Sequence, residues 1–148
     1  MKINKKNIVS YAAMFTAFMA LIVSIYEGYE IRKHNRLSVR PHLITEINIK
    51  GIRQESIIIK NGGLGPAIIN EFEIFANGKK MKSWNDAMNE IKLTKFSSLT
   101  NLAEGDVIKS GERLPIVVLD TIIDNFNLSF NLKFKSMYDE GFTLTSDF

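Results

Sequence analysis

The sequence predicts a mainly β protein: an antiparallel β-sandwich with one inserted amphipathic helix, preceded by a single N-terminal transmembrane helix. Three observations carry that expectation. An uncharged apolar run fills residues 8–26, apolar side chains recur with a period of two from residue 43 onward, and Gly-containing turn sequences punctuate that pattern at short intervals. The organisation implied is a basic tail over 1–7, a transmembrane helix over 8–26, a basic juxtamembrane helix or linker over 27–41 and the sandwich over 42–148.

The first element is IVSYAAMFTAFMALIVSIY, nineteen residues without a charge, Pro or Gly. At ~1.5 Å per residue it reaches about 28 Å, close to the ~30 Å hydrocarbon layer that a spanning helix crosses. A cleaved secretory signal also begins with lysines and an apolar stretch. Its apolar region is shorter, however, and ends in small residues at a cleavage site, whereas this run leaves through Ser24-Ile25-Tyr26-Glu27-Gly28-Tyr29. Tyr11, Tyr26 and Tyr29 stand near the two ends, where amphipathic rings favour the headgroup layer. No Pro occurs before Pro41, so the helix is expected to continue through Glu30, Arg32 and Lys33 toward Leu37. The expected location is a bacterial inner membrane, crossed once.

Basic residues flank the helix on both sides. Lys2, Lys5 and Lys6 precede it, and Arg32, Lys33, Arg36 and Arg40 follow, so the positive-inside count leaves open which side holds the C-terminal module. The four later residues are read as a juxtamembrane contact with anionic membrane lipid, with a merely solubilising flank as the competing reading. Within the helix, Ala13, Ala17, Ala20 and Ser24 form a small-residue face that would let a second helix approach. Homo-oligomerisation, or pairing with a larger membrane subunit, is the corresponding expectation.

The net charge of +3 arises in the tail, because residues 27–148 hold sixteen basic and sixteen acidic side chains. Their scatter is unlike the basic face of a phosphate binder, and no nucleic-acid partner is expected. Zero cysteines remove disulfides, thiol nucleophiles and thiolate metal sites. A domain of this size can bury a sufficient core without such staples.

The strands follow in order. Leu43, Thr45, Ile47 and Ile49 alternate with Ile44, Glu46, Asn48 and Lys50. Phe72, Ile74 and Ala76 alternate with Glu71, Glu73 and Phe75, and Leu128, Phe130, Leu132 and Phe134 alternate with polar neighbours. Ile57-Ile58-Ile59 and Ile116-Val117-Val118-Leu119 read as central, doubly covered strands. Between these runs Gly62-Gly63, Asn77-Gly78, Ser110-Gly111 and Asp139-Glu140-Gly141 mark turns, and Asn-Gly is a strong two-residue hairpin signal. Strands at this spacing without alternating long helices argue for a sandwich.

One helix interrupts them. Ser83-Trp84-Asn85-Asp86 has the form of a capping box, and Trp84, Ala87, Met88 and Ile91 then make one apolar stripe. Trp84, Met88 and Ile91 are candidates for a partner surface, weighed against a helix that covers an open end of the sandwich.

The chemistry-bearing residues are sparse. His34 and His42 do not share a helical face with a third ligand, so no metal site is expected. Asn61-Gly62-Gly63-Leu64-Gly65-Pro66-Ala67 follows a strand as a phosphate cradle would, but it lacks the Lys-Ser/Thr pair, and Pro66 removes an N–H donor. A tight strand-to-strand connection is the expectation there. Asp120 with Asp124, or Asp139 with Glu140, are the only acid pairs worth weighing as catalytic, and nothing singles them out. No catalytic residue, metal or cofactor is assigned.

Residues 55–80, ESIIIKNGGLGPAIINEFEIFANGKK, resemble the central strands of bacterial Ig-like domains of the cell-adhesion-related (CARDB-like) type. There a strand ends in Asn-x-Gly-x-Gly-Pro-Ala and the next returns through a Gly-Lys hairpin. HNRLSVRPHL, IKSGERLPI and FKSMYDEGFTL further resemble small single-pass bacterial membrane proteins of uncharacterised function. The resemblance implies an Ig-like module and no catalytic residues. The function expected is that of a non-enzymatic, membrane-tethered binding module, an accessory or immunity/exclusion-type envelope protein whose partner is another membrane or envelope protein. The alternative is a small-ligand or lipid-binding sensor with an apolar pocket at Phe72, Phe130 and Phe134.

Overall fold

A computed structural model describes residues 5–50, 54–120 and 127–148. Lys2 and Asp124 lie outside them. The chain divides into two compact units at Ser38/Val39.

The first unit is one helix, α1 (Lys5–Ser38). Among the described residues it is the one helix long and apolar enough to cross a membrane. The uncharged run therefore extends without interruption into the basic segment, as the absence of Pro before Pro41 predicts.

The second unit is an antiparallel sandwich. In chain order its elements are β1 (Leu43–Lys50), β2 (Gln54–Asn61), β3 (Ala67–Ala76), β4 (Lys79–Met81), α2 (Trp84–Glu90), β5 (Phe96–Leu99), β6 (Val107–Ile108), β7 (Arg113–Leu119), β8 (Leu128–Lys135) and β9 (Gly141–Asp147). One sheet has the order β1-β2-β7-β5 and the other β4-β3-β8-β9, with β6 paired to the start of β3. These are the ABED and C′CFG orders of an Ig-like sandwich, with α2 inserted between C′ and D.

Side-chain periodicity explains the core. Leu128, Phe130, Leu132 and Phe134 on β8 meet Ile74 and Ala76 on β3 and, from the other sheet, Ile57, Ile59, Val117 and Leu119. Ig domains commonly pin this space with a disulfide and a Trp. Here no cysteine exists, and the pin is aromatic. Trp84 comes from α2, fully buried, with its ring 6.1 Å from Phe72, which lies 5.7 Å from Phe130, itself 5.8 Å from Phe148.

α2 exists because its first turn is capped and its stripe is covered. Ser83 Oγ accepts from the Asp86 N–H at 3.2 Å and donates to Asp86 Oδ2 at 3.0 Å. Trp84, Ala87 and Met88 are each fully buried and Ile91 is partly buried against the same cluster. Trp84 and Met88, candidates for a partner surface, are thus core residues, and Ile91 keeps part of its side chain exposed. The stripe closes the sandwich, and emptying the Trp84 site costs on the order of 3–5 kcal/mol.

The hairpin between β3 and β4 is a two-residue loop, with Ala76 opposite Lys79. Asn77 (φ 51) and Gly78 (φ 75) both have positive φ, as a type I′ turn demands.

Candidate functional site

The glycine-rich turn after β2 is a clasp. Asn61 is fully buried, and its side chain uses its whole hydrogen-bonding capacity. Nδ2 donates to the Gly65 carbonyl at 2.8 Å and to the Ile108 carbonyl at 3.1 Å, while Oδ1 accepts from the His42 N–H at 3.1 Å and the Gly63 N–H at 3.0 Å. Gly62 N–H donates to the His42 carbonyl at 2.8 Å, and Ser110 Oγ to the Gly63 carbonyl at 2.7 Å. One amide thus joins three stretches of chain: the segment before β1, the turn itself and the end of β6.

The glycines allow that approach. A Cβ on Gly65 would overlap the Val39 carbonyl, and one on Gly63 would collide with the backbone of Arg40 and His42. The motif therefore holds Val39–His42 against the sandwich, and the N–H groups of Gly62, Gly63 and Gly65 are spent on bonds within the fold. This also moves the boundary of the linker. Residues 39–41, expected to belong to it, pack with the sandwich, and Pro41 is buried.

Arg40 follows the same logic. Its Nε lies 2.8 Å and Nη2 3.3 Å from the two Glu140 oxygens, and the hydrogen bond holds the guanidinium above its ordinary pKa. Arg40 belongs to the sandwich unit, while Arg32, Lys33 and Arg36 are exposed on α1. The small residues Ala13, Ala17, Ala20 and Ser24 are exposed along the same helix.

The outer face of the β4-β3-β8-β9 sheet is a polar ladder. Lys80 on β4 donates to Glu73 on β3, Asn131 on β8 donates to Glu73 at 3.3 Å, and Thr145 on β9 donates to Asn131 at 3.2 Å. Lys133 pairs with Glu71 at 2.7 Å, and Lys135 with Asp139 at 2.8 Å. The hydrogen bond from Lys80, followed by that from Asn131, holds the Glu73 carboxyl below its usual range, and Lys135 does the same for Asp139. Exposed pairs of this kind contribute little stability each. Their consequence is that Asp139 and Glu140 engage two separate bases and form no acid pair, while Asp120 accepts from Ser97 Oγ at 2.6 Å. Among the described residues, no three His, Cys, Asp or Glu side chains gather as a metal site.

Strand β1 is different. It ends its sheet, so its outer edge carries no neighbour among the described strands. The register places Leu43, Thr45, Ile47 and Ile49 on one face, opposite Asn61, Ile59, Ile57 and Glu55. Leu43 is 5 % exposed, but Ile47 and Ile49 are 55 % and 56 % exposed. The alternation was correct and the cover was not, because only the first half of this edge strand is roofed by the rest of the sandwich. The sequence carries no signal for that loss of cover, since all four positions follow one pattern.

Of the rings named for the sensor reading, Phe72 lies against Trp84 and Phe130, Phe130 against Phe148, and Phe134 stacks on Phe142 at 5.5 Å.

Comparison with known protein families and with curated proteins finds no match. The Ig-like strand order and the helix long enough to cross a membrane therefore stand on the structure itself.

Proposed function

We propose that this chain is a non-enzymatic binding module held to a bacterial inner membrane by a single span, working as an accessory or immunity/exclusion-type envelope protein through contact with another membrane or envelope protein. One observation carries the proposal. β1 presents an open strand edge bearing two exposed isoleucines, whereas the opposite sheet face is tied up in its own ion pairs. An open edge supplies unpaired N–H and C=O groups to which a partner strand can add, and alternate side chains such as Ile47 and Ile49 supply selectivity. The resemblance of residues 55–80 to cell-adhesion-related Ig-like modules supports the same class.

The test is a photo-crosslinking residue in place of Ile49, in the full chain in its own membrane, compared with one in place of Lys133. A single discrete adduct from position 49 with another membrane or envelope protein, and none from 133, is expected. Equal diffuse labelling from both positions would overturn the proposal, and an adduct of twice the chain's own mass would make the partner a second copy.

A further inference from the structure

The sandwich exposes six large apolar side chains among its described residues, and four of them, Leu64, Val107, Met137 and Tyr138, sit at one end. The register shows why they share it. Ile68 pairs with both Lys135 and Val107, so the turn before β3, the turn after β8 and strand β6 all meet there. Leu64 is 76 % and Met137 67 % exposed, each at a turn tip. This is also the end at which the chain departs for α1, because Val39–His42 is clasped to the Asn61 turn and Arg40 to the β8–β9 turn.

We infer that this end is a lipid-docking surface, with Leu64 and Met137 entering the headgroup layer of the membrane that α1 crosses. Chain length brings lipid within reach. Twelve helical residues separate Tyr26 from Val39, so the chain keeps this end within about 18 Å of Tyr26 at ~1.5 Å per residue, and a weak contact suffices. Charge does not oppose it. The acids of the β8–β9 turn are matched by bases, Glu140 by Arg40 and Asp139 by Lys135, and the exposed Lys109 offsets Glu112, whose carboxylate accepts from the Lys109 N–H at 2.7 Å. Apolar tips with a Tyr beside them match the polarity gradient of the interface.

The inference rests on α1 being a membrane anchor, and the test separates the two. The cysteine-free full chain is reconstituted in phosphatidylcholine–phosphatidylglycerol vesicles with an NBD fluorophore on one introduced cysteine. The sites are Lys109→Cys beside the tips, Lys79→Cys at the far hairpin and Thr16→Cys within α1. Brominated acyl chains are expected to quench the Thr16 and Lys109 positions and to spare Lys79. Adding Leu64→Ser and Met137→Ser, both exposed, is expected to abolish quenching at Lys109 and leave Thr16 unchanged. Quenching at Lys109 no stronger than at Lys79, or unaltered by the two serines, overturns the lipid contact while a quenched Thr16 keeps the anchor. An unquenched Thr16 overturns both. Protection of Lys109 from aqueous iodide without quenching by lipid would mean that protein covers this end, and also overturns the inference.

Discussion

Asn61-Gly62 and Asn77-Gly78 are the same dipeptide at the ends of two successive strands, and the chain uses them for opposite purposes. At Asn77-Gly78 the residues are exposed, and their value is conformational, since both must take positive φ to close a two-residue hairpin. At Asn61 the side chain is fully buried and bonded four times, and the useful glycines are the later ones, Gly63 and Gly65, whose value is the missing Cβ. The first turn acts through space between distant segments. The second acts chiefly through its own backbone angles, with one long-range bond, from the Asn77 N–H to the Asn127 carbonyl at 2.8 Å. Glycine in a turn thus signals either a backbone angle or a close approach, and the dipeptide alone does not say which.

The contrast predicts very different costs. Gly65→Ala is expected to be the most damaging change, because the new methyl meets the Val39 carbonyl and backbone must move. A loss exceeding about 4 kcal/mol, read as failure of a cooperative unfolding transition, is the expected outcome. Asn61→Ala comes next. It leaves the His42 and Gly63 amides and the Gly65 and Ile108 carbonyls without their partner, and chemical denaturation is expected to show a loss of about 3–5 kcal/mol. Gly78→Ala meets no atom and strains only φ, so the same measurement should give about 1 kcal/mol. A Gly78→Ala cost equal to that of Gly65→Ala would erase the distinction.

The smallest effect is in acid. Beside the Asn77-Gly78 hairpin, Glu73 is held below its ordinary value of 4.5 by Lys80 and Asn131. A carboxyl depressed in the folded state contributes its stability above the unfolded value and loses it as pH falls through the folded one. Amide exchange in the hairpin is therefore expected to quicken only below the ordinary carboxylate range, and Glu73→Gln should flatten that change. The Asn61 turn, held by amides that do not titrate, should be indifferent over the same interval.

The sequence made the long apolar helix, the strand alternation, the α2 cap and the Asn77-Gly78 hairpin legible, because each depends on spacing within a few residues. It identified a tight connection at Asn61 but not the clasp, since the partners of that side chain are His42 and Ile108, nineteen residues before and forty-seven after. Proximity in sequence groups Arg40 with Arg32, Lys33 and Arg36 and cannot show its bond to Glu140, one hundred residues away. Trp84 fits either a partner surface or a covering helix in the sequence, because a short amphipathic stripe reads alike whether it faces a partner or its own core. Ile47 and Ile49 looked buried for the converse reason: periodicity reports which face a side chain shares and not how far the opposing layer extends.

The account turns on the claim that the segment entering the sandwich, Val39–His42, is part of the folded module, fixed by one asparagine. Residue-resolved amide exchange of the full chain in micelles tests it most directly, at the His42 and Gly63 N–H groups that Asn61 Oδ1 accepts. Both are expected to exchange as slowly as the centre of β2, through global opening. Exchange of His42 and Gly63 at the rate of an open loop, with β2 still protected, would contradict the account.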